Sequence, residues 1–286
     1  MIGPSGTYLQ RLGARMDAVG TSLCLGVDPD PASLPAGFPP NVEGVERFAV
    51  LLIEAATPHV AAVKANLAFF EAFGSPGIAA LERVRARVPR DIPFIADAKR
   101  ADIGSTSARQ SVALFDTLEA DAVTVNPYLG LDALEPLLAR PDRFVYVLCR
   151  TSNAGAAELQ DLLVTTGAGG AGLPLYLQVA HFAAGWARRH PHLGLVCGAT
   201  GQAEMALVRA AAPELPFLVP GLGAQGGDVS AVMQHGPALA GAAAKLRGGA
   251  VVVNVSRAIA GAAIGSSEPS TAVAAAAQQW STVLGC

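Results

Sequence analysis

Ile95-Ala96-Asp97-Ala98-Lys99-Arg100-Ala101-Asp102-Ile103-Gly104-Ser105-Thr106 is the stretch on which fold and chemistry both turn. An apolar strand over residues 93–96 leads into it, and Asp97, Lys99 and Asp102 follow where that strand would run out into a loop. Alternate strand residues share a face, which predicts Asp97 and Lys99 side by side, with Asp102 arriving from the turn beyond. An apolar run that ends in alternating charges is either a salt-bridged strand end or part of a site. Ion-pair networks are common outside active sites, so this stretch alone leaves both readings open.

The pattern recurs on either side. Apolar runs at residues 22–27, 60–63, 122–125, 144–148, 193–197, 217–219 and 250–253 each lead into a polar loop. Helical periodicity fills the intervals at 45–56, 78–88, 107–118, 131–138, 175–188 and 204–211, with a further helix at 9–19 before the first strand, ended by Gly20, and one at 271–283 after the last. Continuous Val, Ile and Leu runs are the signature of parallel strands buried on both faces. Eight β-then-α units in about 250 residues is the arithmetic of a (β/α)8 TIM barrel. An open doubly wound sheet also explains the alternation, but the GxGxxG fingerprint expected after its first strand is missing. The expectation is therefore an α/β chain with a single barrel domain over residues 1–286, an N-terminal helix and an extended loop around 153–172.

Composition narrows the function. The chain has 286 residues, 51% hydrophobic and 15% charged, with a net charge of −3 and scattered Lys and Arg. That is ample for a large core and offers no electrostatic footprint for nucleic acid or anionic lipid. Cys24, Cys149, Cys197 and Cys286 lack CxxC spacing, and the first three lie in apolar runs where a free thiol acts as a small hydrophobe, so a reducing cytoplasm is expected. No signal-like segment opens the chain and no run of about 20 apolar residues occurs, so no membrane span is expected.

In such barrels the active site sits at the C-terminal ends of the strands, and the residues closing them here are Asp28, Lys64, Asp97 with Lys99, Asn126, Ser152, Thr200, Gln225 and Arg257. Each alone has a bland explanation as a cap, a solvated charge or a loop hydrogen-bonder. Two Lys and three Asp at three strand ends, once Asp102 is counted, are harder to explain that way. The run Pro220-Gly221-Leu222-Gly223-Ala224-Gln225-Gly226-Gly227-Asp228 after the seventh strand, with Arg257 after the eighth, forms a second group. Loops at those positions commonly hold phosphate through backbone N–H groups, and a guanidinium grips phosphate oxygens in a bidentate way. The glycines also have the simpler role of permitting a tight turn.

Asp97-x-Lys99-x-x-Asp102-Ile103-x-x-Thr106, with Asp28 and Lys64 upstream and the glycine loop downstream, resembles the orotidine 5'-phosphate decarboxylase family in the form found in many bacteria. The resemblance runs from Asp28 to Arg257. It implies a (β/α)8 barrel, usually a homodimer, that converts orotidine 5'-monophosphate to uridine 5'-monophosphate and CO2 with no metal or organic cofactor. Position by position, it implies a charged network of Lys99, Asp97, Lys64 and Asp102, with Asp102 and Thr106 completing the neighbouring subunit's site. Asp28 is implied at the ribose, Ser152 or the adjacent Thr151 at the pyrimidine, and Gln225 and Arg257 at the phosphate and base-bridging positions. Loss of CO2 from C6 leaves a carbanion with little delocalisation, which asks for a preorganised ammonium that stabilises the charge and then supplies a proton, the role of Lys99.

Two rivals are weighed against this reading. Mg2+-dependent phosphosugar enzymes of the same barrel group share the Asp-x-Lys-x-x-Asp motif, but a cation site needs a carboxylate where this chain has Lys64. A non-catalytic nucleotide-binding barrel has no need of an intact Asp97, Lys99 and Asp102.

Overall fold

Eight apolar segments pair into a closed parallel barrel: β1 Leu23–Val27, β2 Ala62–Asn66, β3 Phe94–Arg100, β4 Ala122–Val125, β5 Phe144–Arg150, β6 Leu193–Cys197, β7 Phe217–Val219 and β8 Val252–Val255. Neighbours in the barrel are neighbours in sequence, and β8 closes on β1. The computed structural model describes residues 6–165, 172–199, 201–223 and 226–286.

The absence of in-out polarity along each run has a direct physical cause. On β5, Val145, Val147 and Cys149 face the surrounding helices, while Phe144 and Tyr146 fill the barrel interior. Both faces exclude water, so both are apolar. The outer layer includes α2 Val42–Ala56, capped by the Asn41 side chain, and α3 Ser75–Arg87. Helices α4 Gly104–Ser111, α5 Leu131–Leu138, α6 Leu175–Ala187, α7 Gln202–Ala211, α8 Val229–His235 and α9 Pro269–Val283 continue the shell. Among the described residues, no helix is long and apolar enough to cross a membrane.

The N-terminal helix, α1 Tyr8–Val19, closes the barrel at the N-terminal ends of its strands. A capping box between Thr7 and Gln10 starts it, and Gly20 at φ 68° ends it. Its Tyr8, Leu12 and Met16 pack with Phe144, Tyr146 and Ile95 inside the barrel, and the Tyr8 and Tyr146 hydroxyls lie 3.1 Å apart. Beside this plug, the buried Asp121 carboxylate accepts from Arg11 at 2.7 Å and from the Phe94 N–H at 2.8 Å. Arg85 and Arg143 stand 3.6 and 3.5 Å away.

Several elements depart from the sequence expectation. Strand β3 continues through the charged residues to Arg100 because a bulge after Ala96 lets it resume pairing with β4. Lys64 and Asn254 are strand residues, not loop residues. Helix α8, which follows the glycine-rich loop, went unread: its short apolar face begins at Asp228, whose side chain caps it through the Ser230 and Ala231 N–H groups. The expected loop after residue 155 contains a helix at Ala156–Gln160 and a small hairpin pairing Leu163–Val164 with Leu173–Pro174.

The Asp121 cluster gives a stability test. Asp121→Ala leaves Arg11 and Arg85 charged and buried without their partner, and an unfolding free energy lower by about 3–5 kcal/mol is expected in chemical denaturation.

Candidate active site

At the C-terminal ends of β1 to β3, four charged side chains alternate in sign. Lys64, only 4% exposed, places Nζ 2.8 Å from Asp97 Oδ2 and 3.9 Å from Asp28 Oδ1. Lys99 brings its own Nζ to 2.7 Å from Asp97 Oδ1. Parallel register makes this possible: Lys64 stands opposite Ile95 and Asn66 opposite Asp97, so Lys64 and Asp97 are diagonal neighbours two residues out of step that point to the same face of the barrel.

Burial by itself pushes the Lys64 ammonium down, but Asp28 and Asp97 outweigh it and hold the pKa above the usual lysine range. Burial likewise favours the neutral form of Asp97, yet Lys64 and Lys99 hold its carboxyl far below the usual carboxylate range. Beneath them the Cys24 thiol is pushed up to about 12, chiefly by burial, and stays neutral. The network is thus charged in its upper layer and apolar below, the arrangement in which electrostatic interactions are least screened.

These groups line a cavity of about 460 Å3 that also reaches Ser152, Pro220, Gly221, Asn254, Ser256 and Arg257. Two glycines shape the walls of this cavity. Gly223, at φ 80°, lies where a Cβ would meet Ala258 at 2.9 Å, so the loop packs directly against the short helix Arg257–Ala260 that starts with the candidate phosphate-binding arginine. Gly26 makes room inside the barrel, since a Cβ there would lie 2.6 Å from Ser256 Cβ and 2.9 Å from Asn254 Oδ1.

The sequence-derived candidates separate into three groups. Asp28, Lys64, Asp97, Lys99, Ser152 and Arg257 all line the one cavity. Asp102, Thr106 and Asn126 do not: Asp102 Oδ1 accepts from the Ile103 N–H at 2.8 Å, Asn126 Oδ1 accepts from the Tyr128 N–H at 3.0 Å, and Thr106 is exposed early in α4. Gln225 and Thr200 lie outside the described residues. Thr151, the alternative to Ser152, has its hydroxyl engaged, donating to Asn153 Oδ1 at 2.6 Å and accepting from Gln160 Nε2 at 2.7 Å.

Five polar lining residues escaped the sequence reading: Asn66, Thr124, Asn153, Asn254 and Ser256. Thr124 donates to Asp97 Oδ1 at 2.8 Å. In Ala-Val-Thr-Val it looks like an ordinary β-branched strand residue, and only the inward phase it shares with Ala122 sets it apart. Asn254 breaks the run Val251-Val252-Val253-Asn254-Val255, a polar residue amid apolar ones, which was the available signal. Among the described residues its Oδ1, like that of Asp28, is buried with no hydrogen-bond partner, so the cavity offers two acceptors for the hydroxyl or amide donors of a ligand.

A closed sequential barrel with an alternating Lys and Asp row over a cavity at its C-terminal mouth defines a (β/α)8-barrel enzyme that works on a small polar molecule. Comparison with known proteins narrows this class. A profile of the orotidine 5'-phosphate decarboxylase / HUMPS family matches residues 21–273. An orotidine 5'-phosphate decarboxylase of Thermomicrobium roseum is 52% identical over 207 residues, 72% of each chain. The structure of Leishmania donovani OMP decarboxylase superposes with a TM-score of 0.79 at 34% identity, covering 98% of this chain and 100% of that one. Leishmania donovani UMP synthase superposes at 0.81 with 36% identity, this chain covering 98% of its own length but 56% of the synthase. The chain belongs to the orotidine 5'-phosphate decarboxylase / HUMPS family.

The direction of the two pKa shifts gives a pH prediction. Stability from Asp97 is complete above the unfolded carboxylate value of about 4 and is lost as pH falls toward the lower folded value; stability from Lys64 is complete below about 10.4 and is lost as pH rises through its raised value. Urea titrations should therefore show the native protein losing stability relative to Asp97→Asn only below about pH 4. A relative loss that begins near neutral pH would contradict the assigned Asp97 environment.

Proposed function

We infer that this chain decarboxylates orotidine 5'-monophosphate to uridine 5'-monophosphate and CO2, the closing step of pyrimidine nucleotide synthesis, and that Lys99 and Asp97 carry the chemistry. The observation that bears most on this is the Lys99 ammonium 2.7 Å from an ionised Asp97 at the cavity wall. In the reaction the bond between C6 and its carboxylate breaks, the electron pair stays on C6 and CO2 leaves. The Lys99 ammonium stabilises that pair as it forms and then delivers a proton to C6, after which water restores the ammonium. Asp97 lies beside the departing carboxylate, and Lys64 keeps Asp97 ionised and in place.

The remaining roles combine the cavity lining with the family resemblance, which alone supplies Gln225. Arg257 and Gln225 grip the phosphate, whose binding energy orders the site for the reaction at the other end of the substrate. Asp28, with a buried acceptor oxygen, takes a ribose hydroxyl. Ser152, at the cavity wall, takes the pyrimidine. No metal or organic cofactor is assigned, since Lys64 occupies the place where a divalent cation would need a carboxylate.

Asp102 and Thr106 are assigned to the site of a second subunit in a homodimer. That neither lines its own cavity supports this, as do Ile103, Val112, Tyr128 and Leu129, large apolar side chains exposed on and near α4. The free thiols of Cys24, Cys149 and Cys197 support a cytoplasmic location.

Two measurements test these assignments. Loss of orotidine monophosphate absorbance is expected with the native protein in the presence of a chelator, and Lys99→Ala should lower kcat by about 1000-fold or more. No native turnover, or turnover that the chelator abolishes, overturns the assignment. Subunits carrying Lys99→Ala and Asp102→Ala, mixed equally and reassociated, should recover about a quarter of native activity, because half of random dimers are mixed and each of those holds one intact site. Activity no greater than that of the separate variants would refute the shared site.

A further inference from the structure

Strands β3 and β4 run in register at Ile95 with Ala122 and at Ala96 with Val123, but the next pair is Arg100 with Val125. Three residues of β3, Asp97, Ala98 and Lys99, therefore stand against one residue of β4, Thr124. A bulge of this size leaves backbone groups without ladder partners. The Lys99 N–H finds its acceptor in the Thr124 hydroxyl at 3.0 Å, and the same hydroxyl donates to Asp97 Oδ1 at 2.8 Å. Asp97 Oδ1 in turn accepts from Lys99 Nζ at 2.7 Å. One hydroxyl thus closes a ring that runs from the backbone of Lys99 through Asp97 to the tip of the Lys99 side chain.

Lys99 also has φ 48°, in the left-handed region that side-chain-bearing residues rarely adopt. Such conformations persist where surrounding contacts over-determine them, and they concentrate at functional sites. Here the left-handed turn aims a long, flexible side chain at the cavity. The Thr124 hydroxyl is the side-chain group that holds both the amide of that turn and the carboxylate at the far end of the chain. As a β-branched residue, Thr124 has restricted χ1 freedom, so its oxygen is presented in a defined direction.

We propose that Thr124 is the positioning residue for Lys99, acting through the Lys99 amide and the Asp97 carboxylate and making no contact with the reacting atoms itself. This rests on the decarboxylase reading, in which Lys99 must meet the carbanion as it forms. A displacement of about 1 Å in such a group costs on the order of 100-fold in rate while substrate binding is untouched.

Thr124→Val keeps the shape of the side chain and removes the hydroxyl. It is expected to lower kcat by about 10- to 100-fold with KM and the Kd for uridine monophosphate within about threefold of native. Thr124→Ser restores the hydroxyl and should return kcat to within about threefold. Thr124→Cys, whose thiol is a poor hydrogen-bond partner, should behave like the valine variant and replaces it if the latter does not fold. The proposal fails if kcat survives removal of the hydroxyl, if the serine variant falls as far as the valine one, or if the loss lies in KM alone. Amide hydrogen exchange at Lys99 needs no turnover and separates this proposal from the reaction: it should quicken in Thr124→Val and not in Thr124→Ser. Unchanged exchange in Thr124→Val overturns the positioning role even if the native enzyme proves inactive on orotidine monophosphate.

Discussion

The Asp97 carboxylate is the constraint from which the site is built. It is mostly buried, and a buried carboxylate ordinarily gives up its charge. Two ammonium groups and one hydroxyl reach it, so it keeps that charge instead. Each neighbour depends on it in return: Lys64 has little solvent of its own, and Lys99 has Asp97 to set where its tip lies. Without the carboxylate, Lys64 and Lys99 would converge and would lose countercharges at 2.8 and 2.7 Å.

The opposite end of the barrel uses similar chemistry for a different purpose. Asp121 gathers three arginines much as Asp97 gathers two lysines, but the helix Tyr8–Val19 and its tyrosine seal that end. Charges closed off from solvent by an aromatic plug hold the helix to the barrel. Charges beside an open cavity remain available to a ligand. The distinction lies in access, because the pairing distances at the two ends are alike.

Much of this was legible in the chain. The helix before Gly20, the strands at 122–125, 193–197 and 217–219, and the helix at 131–138 sit where periodicity puts them. Asp28, Lys64, Asp97, Lys99, Ser152 and Arg257 all reach one cavity because strand ends in a closed parallel barrel share one mouth. Thr124 and Asn254 were not legible. A threonine in a strand is ordinary until a bulge on the neighbouring strand brings two hydrogen bonds to it, and Asn254 stood one residue beyond the expected end of its strand.

Local residue chemistry alone determined the eightfold alternation, the polar closure of each strand and the set of charged groups at the mouth, since these depend on period-two geometry and on burial of both strand faces. Tertiary structure decided which of those groups touch. Asp97 meets Lys64, 33 residues away, through strand register, while Asp102, only five residues on, turns to the N–H of Ile103 and leaves the cavity. Register and bulges are properties of paired strands, so a partnership that depends on them is not written in either strand by itself.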